Sequence, residues 1–507
     1  QLQQAQDAVP LCGALLGEAS RTGDAAAAFF AAQTLAARAR FCSAEDSATW
    51  LPLAQSIVGM LKLAASGSGS GALSKPALRQ LSVALARLAV QLCDKWPDAV
   101  DSILAELSGG PSLVPFLEVL QVLAEEPFSR RLLVDGSQRS RFLLALRGKV
   151  AGVLRAISMA AQAQPGVPVI RCATEWLRAQ SGFEEWLPMV GFGGSGGAHP
   201  TLAALAEVFS PLACRAARLE LSGEGLEVAA ELAEASVPLV QELRCEGSRS
   251  TVEPLLAAFV EAGGRLLDGG VPALAELGVG LGDVVGALLT VVHAAFTSKA
   301  VLASEQLFPG LLAMGAKLMV LAGPCGGLDV DCDGGLMGRA FDAWEALLSR
   351  ACLGVPCDFP GPAVVPAPAP NPQLEAALAA AFGQLLAALP KALLLPSALT
   401  TMPDQWDLPR MRSRASQVLV MWCDADDKRV EAMFSSLLST SSCLSQLLEG
   451  KQVASVAQWA EAELSLTLAA VAAEVLAGLG EERAGAPPPP LAQLGTALPR
   501  LPLASAP

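Results

Sequence analysis

The sequence predicts an all-α fold, a superhelical solenoid of antiparallel helix pairs of the HEAT or armadillo type. Three observations predict it. Apolar residues recur at spacings of three and four along nearly the whole chain, as they do from Leu78 through Leu81 to Leu85. No sustained alternation of apolar and polar residues rich in Val, Ile and Thr marks a strand. The helical segments come in pairs about 40–60 residues apart, which is a period typical of helical repeats.

The periodic segments define the expected helices in chain order. They are 26–41 with 48–63, 76–94 with 98–107, 112–124 with 139–162, 168–180 with 201–218, 225–244 with 251–268, 281–296 with 301–322, 335–353 with 373–394, and 408–424 with 427–448, followed by 452–478. Because an amphipathic helix pair cannot bury its apolar stripe alone, neighbouring pairs must stack. Five prolines fall at expected helix starts, bends or junctions, namely Pro115, Pro127, Pro211, Pro238 and Pro254.

Composition shifts divide the chain into three parts. Residues 1–180 are expected to form the N-terminal repeats, and residues 181–480 to form further repeats interrupted by Gly- and Pro-rich loops. Residues 481–507 form a Pro/Ala-rich tail in which we expect little order.

The overall composition excludes several classes of protein. The 507 residues are 52% apolar and 17% charged with a net charge of −14, a balance opposite to that of disordered chains. Direct nucleic-acid binding needs a basic surface, which the chain as a whole lacks. No apolar stretch reaches the about 20 residues of a membrane span. Since the chain begins at Gln1 without Met, we expect its natural N-terminus to lie upstream. The 12 cysteines are spread through apolar stretches without a CxxC, which is typical of reduced core thiols.

Several short motifs resemble those of nucleotide-binding, catalytic or metal-binding sites, but each has a simpler explanation. Residues 191–197 match both G-x-G-x-x-G and G-x-S-x-G around Ser195, but a strand is missing before them, so we interpret them as a linker. Residues 329–334 resemble half of a calcium loop whose final Glu is replaced by Ala340. His293 lies in an apolar segment and is expected to be a buried core residue. We therefore predict no catalytic residue, no metal site and no cofactor.

Basic residues form two clusters, one at residues 130–155 and the other at Arg410, Arg412 and Arg414. Arginines at helical spacing usually lie on a solvated or inter-repeat face. Pairing with acidic residues of neighbouring repeats is the alternative.

Seven segments in chain order resemble helices of one known family. They are residues 28–35 (AFFAAQTL), 115–127, 139–142, 170–177 (IRCATEWL), 341–344 (FDAW), 406–412 (WDLPRMR) and 459–474. The family is the importin-β superfamily of karyopherins, and the similarity is to its transportin-SR and importin-thirteen branch. Each segment by itself is a pattern of helix packing. The resemblance rests on the fact that the segments occur in the same order as in the family.

The resemblance implies nuclear transport rather than catalysis. Members of this family carry protein cargo, in this branch Ser/Arg-rich splicing factors, through nuclear pores by contacting Phe-Gly nucleoporins. The GTP form of the small GTPase Ran binds their N-terminal repeats and releases the cargo. The resemblance is to the N-terminal half of the family's proteins. It implies that their first helix corresponds to residues before Gln1 and that their Arg-rich cargo-binding helix corresponds to residues beyond Pro507. It implies shuttling between cytoplasm and nucleus.

The resemblance places Ran contacts on inner helices within residues 48–180. The candidate acidic contacts are Asp94, Asp98, Asp101, Glu125 and Glu126. A net charge of −14 suits basic partners such as Ran and basic or Ser/Arg-rich cargo. The alternative for each of these acids is a solvent-exposed position at a helix end with no role in binding. Two other functions remain open, a HEAT-type interaction scaffold without Ran dependence and a hydrolase that uses Ser195.

Overall fold

The computed structural model describes most of the chain up to residue 353 and parts of the remainder. The described residues are 8–42, 47–66, 73–109, 112–164, 166–186, 209, 223–243, 246–268, 281–302, 304–323, 335–353, 376, 379, 382–386, 389, 408–423, 464–468 and 470. Every described element is a helix, and the predicted all-α fold of HEAT-type helix pairs is confirmed.

The chain divides into two compact units. Unit 1 is Gln1–Leu212 with Glu246–Val252, and unit 2 is Ala213–Cys245 with Glu253–Pro507. The predicted division at residues 180 and 480 stays a prediction, and the predicted tail lies outside the described residues.

Unit 1 contains eight described α-helices and one short 3-10 helix. They are α1 Ala8–Thr22, α2 Ala25–Ala39, α3 Ser47–Ser66, α4 Lys75–Gln91, α5 Ala99–Leu107, α6 Val114–Glu125, the 3-10 helix Glu126–Phe128, α7 Gly136–Ala163 and α8 Val167–Trp186. Helices α2, α4, α6 and α8 pack side by side in chain order, while α3, α5 and α7 form a second row behind them. This is the two-layer arrangement of stacked helix pairs.

The pairs are α1–α2, α3–α4, α5–α6 and α7–α8, so the predicted pairing was wrong by one helix. The cause is α1, for which no helix was expected. Its buried residues Val9, Cys12, Leu16 and Ala19 are spaced by three and four. Once α1 is counted, each odd-numbered helix pairs with the helix that follows it.

A tight turn joins α1 to α2. Gly23 adopts a φ of 76°, which a side chain would make costly, and its N–H donates to Ala19 O at 2.9 Å. Asp24 then caps α2, because its carboxylate accepts from the N–H groups of Ala26 and Ala27 at 3.1 and 3.0 Å. The Gly-Asp dipeptide therefore fixes the antiparallel first pair.

Unit 2 is also helical. Its described helices are α9 Gly223–Glu242, α10 Glu246–Asp268, whose first seven residues belong to unit 1, α11 Leu281–Phe296, α12 Lys299–Leu302, α13 Phe308–Ala322, α14 Leu336–Leu353 and α15 Leu408–Cys423. Helices α9, α11, α14 and α15 are consecutive neighbours, and α13 packs on α11 and α14. Pro238 and Pro254 lie inside α9 and α10.

An arginine connects the last two described long helices of unit 2. Arg414 of α15 pairs with Asp342 at 2.7 Å and with Glu345 at 2.9 Å, both on α14. Its guanidinium also lies 5.3 Å from the ring centroid of Phe341. The inter-repeat face predicted for this arginine cluster is thus observed for Arg414.

His293 differs from its prediction. It lies in the last turn of α11 with its side chain exposed rather than buried in the core. The apolar residues on either side of it occupy the buried face, and the imidazole falls on the opposite side of the helix.

Glycines allow α10 and α13 to approach closely. A Cβ on Gly310 would lie 2.8 Å from Val260 Cγ1, and one on Gly263 would lie 3.0 Å from Met314 Sδ. Both distances are shorter than van der Waals contact, so these two positions set the spacing of the helices.

Replacing Gly310 with Ala is expected to lower the free energy of unfolding by about 1–3 kcal/mol, because the added methyl overpacks a close helix contact. Gly264→Ala on α10 is the matched control. Nothing lies within 4 Å of its Cβ position, so it should stabilise the chain by about 0.4–1 kcal/mol. Urea denaturation of both variants measures the difference. Equal effects would show that the close approach is absent.

Candidate partner-binding surface

The five acidic residues singled out in the sequence fall into two separate groups within unit 1. Asp94, Asp98 and Asp101 lie between the end of α4 and the first turn of α5. Glu125 ends α6 and Glu126 begins the 3-10 helix that follows. Geometry and burial differ sharply between the two groups.

The first group faces α7. Asp94 accepts from Arg141 Nη1 at 2.6 Å, and Asp101 pairs with Lys149 Nζ at 2.6 Å. All four side chains are between 43% and 59% exposed. Exposed pairs of this kind contribute about 0–1 kcal/mol each, so they are weak enough to exchange partners. The basic residues come from the 130–155 cluster, and for these two residues the alternative considered in the sequence analysis, pairing with acids of a neighbouring repeat, is observed.

Asp98 occupies the N-cap position of α5 but makes no side-chain bond to the helix backbone. It is exposed, and its carboxylate accepts only a long 3.5 Å contact from Ser102 Oγ. Among the described residues, no Lys or Arg pairs with it. Its charge is therefore available to a partner molecule.

A slot lies between α5 and α7 beside these acids. It has a volume of 90 Å³, and its apolar lining includes Trp96, Pro97, Val100, Phe142 and Ala145. The two ion pairs, Asp94–Arg141 and Asp101–Lys149, flank it.

Cys93 also lines this slot. Burial raises the pKa of its thiol, and the Asp94 charge raises it further. The thiol is therefore protonated near neutral pH and adds an apolar wall rather than a nucleophile.

The second group is built into the packing of α4 against α6. Glu126 receives two parallel hydrogen bonds from Arg87, each 3.0 Å long, and the two side chains are only 11% and 12% exposed. Arg87 Nη1 also donates to Ala36 O on α2 at 2.6 Å. One guanidinium thus joins three neighbouring repeats, and little of Glu126 is left to meet a partner.

Glu125 belongs to a line of charges across three repeats. Arg79 of α4 pairs with Glu118 at 2.9 Å and also with Glu125, both on α6. Gln121 Nε2 donates to Glu125 at 2.8 Å, and Glu175 of α8 acts on Glu125 electrostatically. Burial raises the pKa of Glu125 despite the opposing charge of Arg79. Ionising this carboxyl group therefore costs the fold more than ionising an exposed glutamate would.

A pH dependence follows for Glu125. A raised folded-state pKa means that its contribution to stability is fully present below the ordinary pKa of 4.5 and is lost as the pH rises through the higher folded value. We expect Glu125→Gln to gain stability relative to the wild type as the pH rises above the ordinary value of 4.5. Urea titrations of both chains at a series of pH values measure this. A difference in the free energy of unfolding between the two chains that stays the same at every pH would contradict the raised pKa of Glu125.

Sequence reasoning missed the basic partners Arg79 and Arg87 entirely. Their spacing of eight residues, with Val83 halfway, places them on one side of α4. That pattern was visible, but which acids they meet depends on the register of α4 against α6. Single-helix periodicity carries no information about that register.

Other kinds of site were also checked within the described ranges. No three His, Cys, Asp or Glu side chains are grouped so that they could hold a metal ion. No helix in that part of the chain has the length and apolar character needed to cross a bilayer. The glycine-rich motif at 191–197, with Ser195, and the acidic loop at 329–334 lie outside the described residues.

Comparison with known proteins relates one segment of the chain to a family. Residues 74–191 match the family model described as Exportin 1-like protein, which is roughly a quarter of the chain. The search of curated proteins found no match. The matched segment begins at Ser74, the N-cap of α4, and extends through α8. It contains all five acidic residues and supports a nuclear transport receptor of the importin-β kind. The match does not test the transportin-SR-like branch.

Proposed function

We propose that this protein is a nuclear transport receptor that carries basic or Ser/Arg-rich protein cargo through the nuclear pore and releases it when Ran-GTP binds. The observation that carries the proposal is the overlap of two independent features. Residues 74–191 match the Exportin 1-like family, and the described residues of that stretch form α4 to α8 of the stacked helix pairs. The resemblance segments at 115–127, 139–142 and 170–177 fall within that stretch in family order.

The mechanism is exchange by mass action. Cargo and Ran-GTP bind the same stack of repeats with negative coupling, so each lowers the affinity for the other by the same factor. A stack of helix pairs suits this role because each interface contributes a small displacement and the sum is large. No covalent chemistry is required, and the protein acts as a receptor rather than as an enzyme.

The exposed acids of the α4–α5 region are the contacts that we propose for Ran. Asp98 has no described basic partner, and Asp94 and Asp101 hold theirs only through half-exposed pairs. A basic partner can replace Arg141 and Lys149 at little cost. Glu125 and Glu126 are better explained as parts of the helix packing, since Arg79 and Arg87 already engage them.

The slot between α5 and α7 is the place that we propose for a Phe side chain of a Phe-Gly nucleoporin. It combines an aromatic wall at Trp96 with the small residue Ala145 at an exposed position on α7. An aromatic ring inserted there would bury apolar surface on both sides, which favours binding.

Nuclear entry tests the proposal. The fluorescently labelled 52.0 kDa chain is expected to enter nuclei of permeabilised cells faster than an inert protein of similar mass. Ala145→Glu should slow entry because it places a charge at the slot, while Ala151→Glu, also exposed on α7, should not. Exclusion of the wild-type chain from nuclei would contradict the receptor function and favour a scaffold. Equal slowing by both variants would contradict the role of the slot in binding nucleoporins but would leave the receptor function standing.

A further inference from the structure

Two large apolar residues with exposed side chains lie on neighbouring backbone segments at one edge of unit 1. Phe41, directly after α2, is 64% exposed, and Leu133, between the 3-10 helix and α7, is 59% exposed. A single amide links their backbones, because Gln91 Nε2 donates to Arg40 O at 3.0 Å and to Leu133 O at 2.8 Å. The two carbonyl oxygens therefore lie within two hydrogen-bond lengths of each other.

The backbone at this edge is held firmly. Arg40 donates from Nε and Nη2 to Arg131 O at 3.0 and 2.9 Å, which joins the end of α2 to the segment before α7. Gln91 is only 4% exposed, and Gln138 of α7 donates to its carbonyl. Arg139, also buried, donates to Leu132 O at 2.8 Å. The exposed side chains thus stand on a pre-formed support and need little ordering to bind.

The charge at this edge is positive in a chain of net charge −14. Arg130 and Arg131 have exposed side chains, and Arg40 adds a third cation. In the part of the chain that the structure describes, no carboxylate forms an ion pair with these three. The next acid after them in sequence, Asp135, instead accepts from Ser137 at the start of α7. These residues, Arg40, Phe41, Arg130, Arg131 and Leu133, form what we term the arginine rim.

We propose that the arginine rim binds an acidic peptide segment of a partner protein that carries a bulky apolar side chain. Charge complementarity identifies the occupant, because the three arginines form no ion pair with any carboxylate among the described residues and therefore attract acids, and the exposed Arg130 and Arg131 can bind carboxylates in a bidentate manner. The apolar pair then takes the bulky side chain, as buried aromatic anchors do in protein interfaces. A nucleic acid would satisfy the arginines but would leave the aliphatic Leu133 without a role. The site is separate from the acids proposed for Ran and has the opposite charge.

The test uses the full chain and a fluorescein-labelled synthetic peptide of alternating Glu and Phe residues, with binding followed by fluorescence anisotropy. Arg130→Glu combined with Arg131→Glu is expected to weaken binding at least about tenfold, and Phe41→Ser by a similar factor. Raising the salt concentration should weaken binding to the wild type. A peptide with Ala in place of Phe should bind less tightly.

Matched controls make the result specific. Lys75→Glu combined with Arg155→Glu changes the net charge equally at exposed positions elsewhere in unit 1, and Leu63→Ser removes an apolar side chain that is 62% exposed. Both controls should bind the peptide as the wild type does. Loss of binding in the controls, or no binding by the wild type, would overturn the proposal. So would tight binding of a single-stranded oligonucleotide in place of the peptide.

Discussion

Arg87→Ala is expected to lower the free energy of unfolding by about 3–5 kcal/mol, the range measured when one partner of a buried ion pair is removed. The variant leaves the carboxyl group of Glu126 only 11% exposed and without the two 3.0 Å hydrogen bonds that satisfy it. It also removes the donor to Ala36 O on α2. One substitution therefore loosens the contacts of α4 with both of its neighbours.

Urea denaturation of the full chain measures the loss, and hydrogen exchange of peptides from α2, α4 and α6 locates it. Arg155→Ala, at an exposed position of α7, is the control and should change stability by about 0.5 kcal/mol or less. Replacing both partners, as Arg87→Met with Glu126→Leu, should cost much less than Arg87→Ala, because no charge is left buried alone. If Arg87→Ala were as stable as Arg155→Ala, this description of the α4–α6 contact would be refuted.

The second large effect concerns Trp176 of α8. Its side chain is 1% exposed, and its indole N–H donates to Leu120 O on α6 at 3.0 Å. Trp176→Ala is expected to cost about 3–5 kcal/mol, since it removes a large buried side chain and leaves a cavity between two repeats. Trp176→Phe keeps most of the volume but loses the donor to a buried carbonyl, so it should cost about 1–3 kcal/mol.

Thermal unfolding followed by circular dichroism ranks these variants. Met159→Ala on α7, where the side chain is 57% exposed, serves as the control and should shift the midpoint little. If Trp176→Phe lowered the unfolding midpoint more than Trp176→Ala, the proposed role of the ring in filling the space between α6 and α8 would be contradicted.

The existence of helices α2 to α8 followed directly from the sequence, because burial of one stripe imposes a period near 3.6 residues on each helix. The buried residues of α4 include Leu78, Leu81 and Leu85, which form the stripe that the periodicity predicts. The pairing of helices did not follow, because it depends on counting every helix from the start. Missing α1 moved each pair in unit 1 by one element.

The candidate surface could be predicted only as a set of residue types. Acids near the ends of α4 and α6 were found from their positions, yet the sequence does not distinguish the exposed Asp98 from the nearly buried Glu126. The difference arises from Arg87, which lies 39 residues from Glu126 along the chain. Long-range partners of this kind are set by packing register, which a single sequence does not reveal.

Selective binding to one nucleotide state of Ran is the most direct test of the account. The purified chain is expected to bind Ran loaded with a GTP analogue about 100-fold more tightly than Ran loaded with GDP, a difference of roughly 2.7 kcal/mol. Changing Asp94, Asp98 and Asp101 together to Asn should weaken binding to the GTP form by about tenfold. The matched control changes Glu18 and Glu261 to Gln and Asp268 to Asn, three exposed acids elsewhere, and should bind normally. Equal affinity for the two nucleotide states, or none for either, would contradict the account.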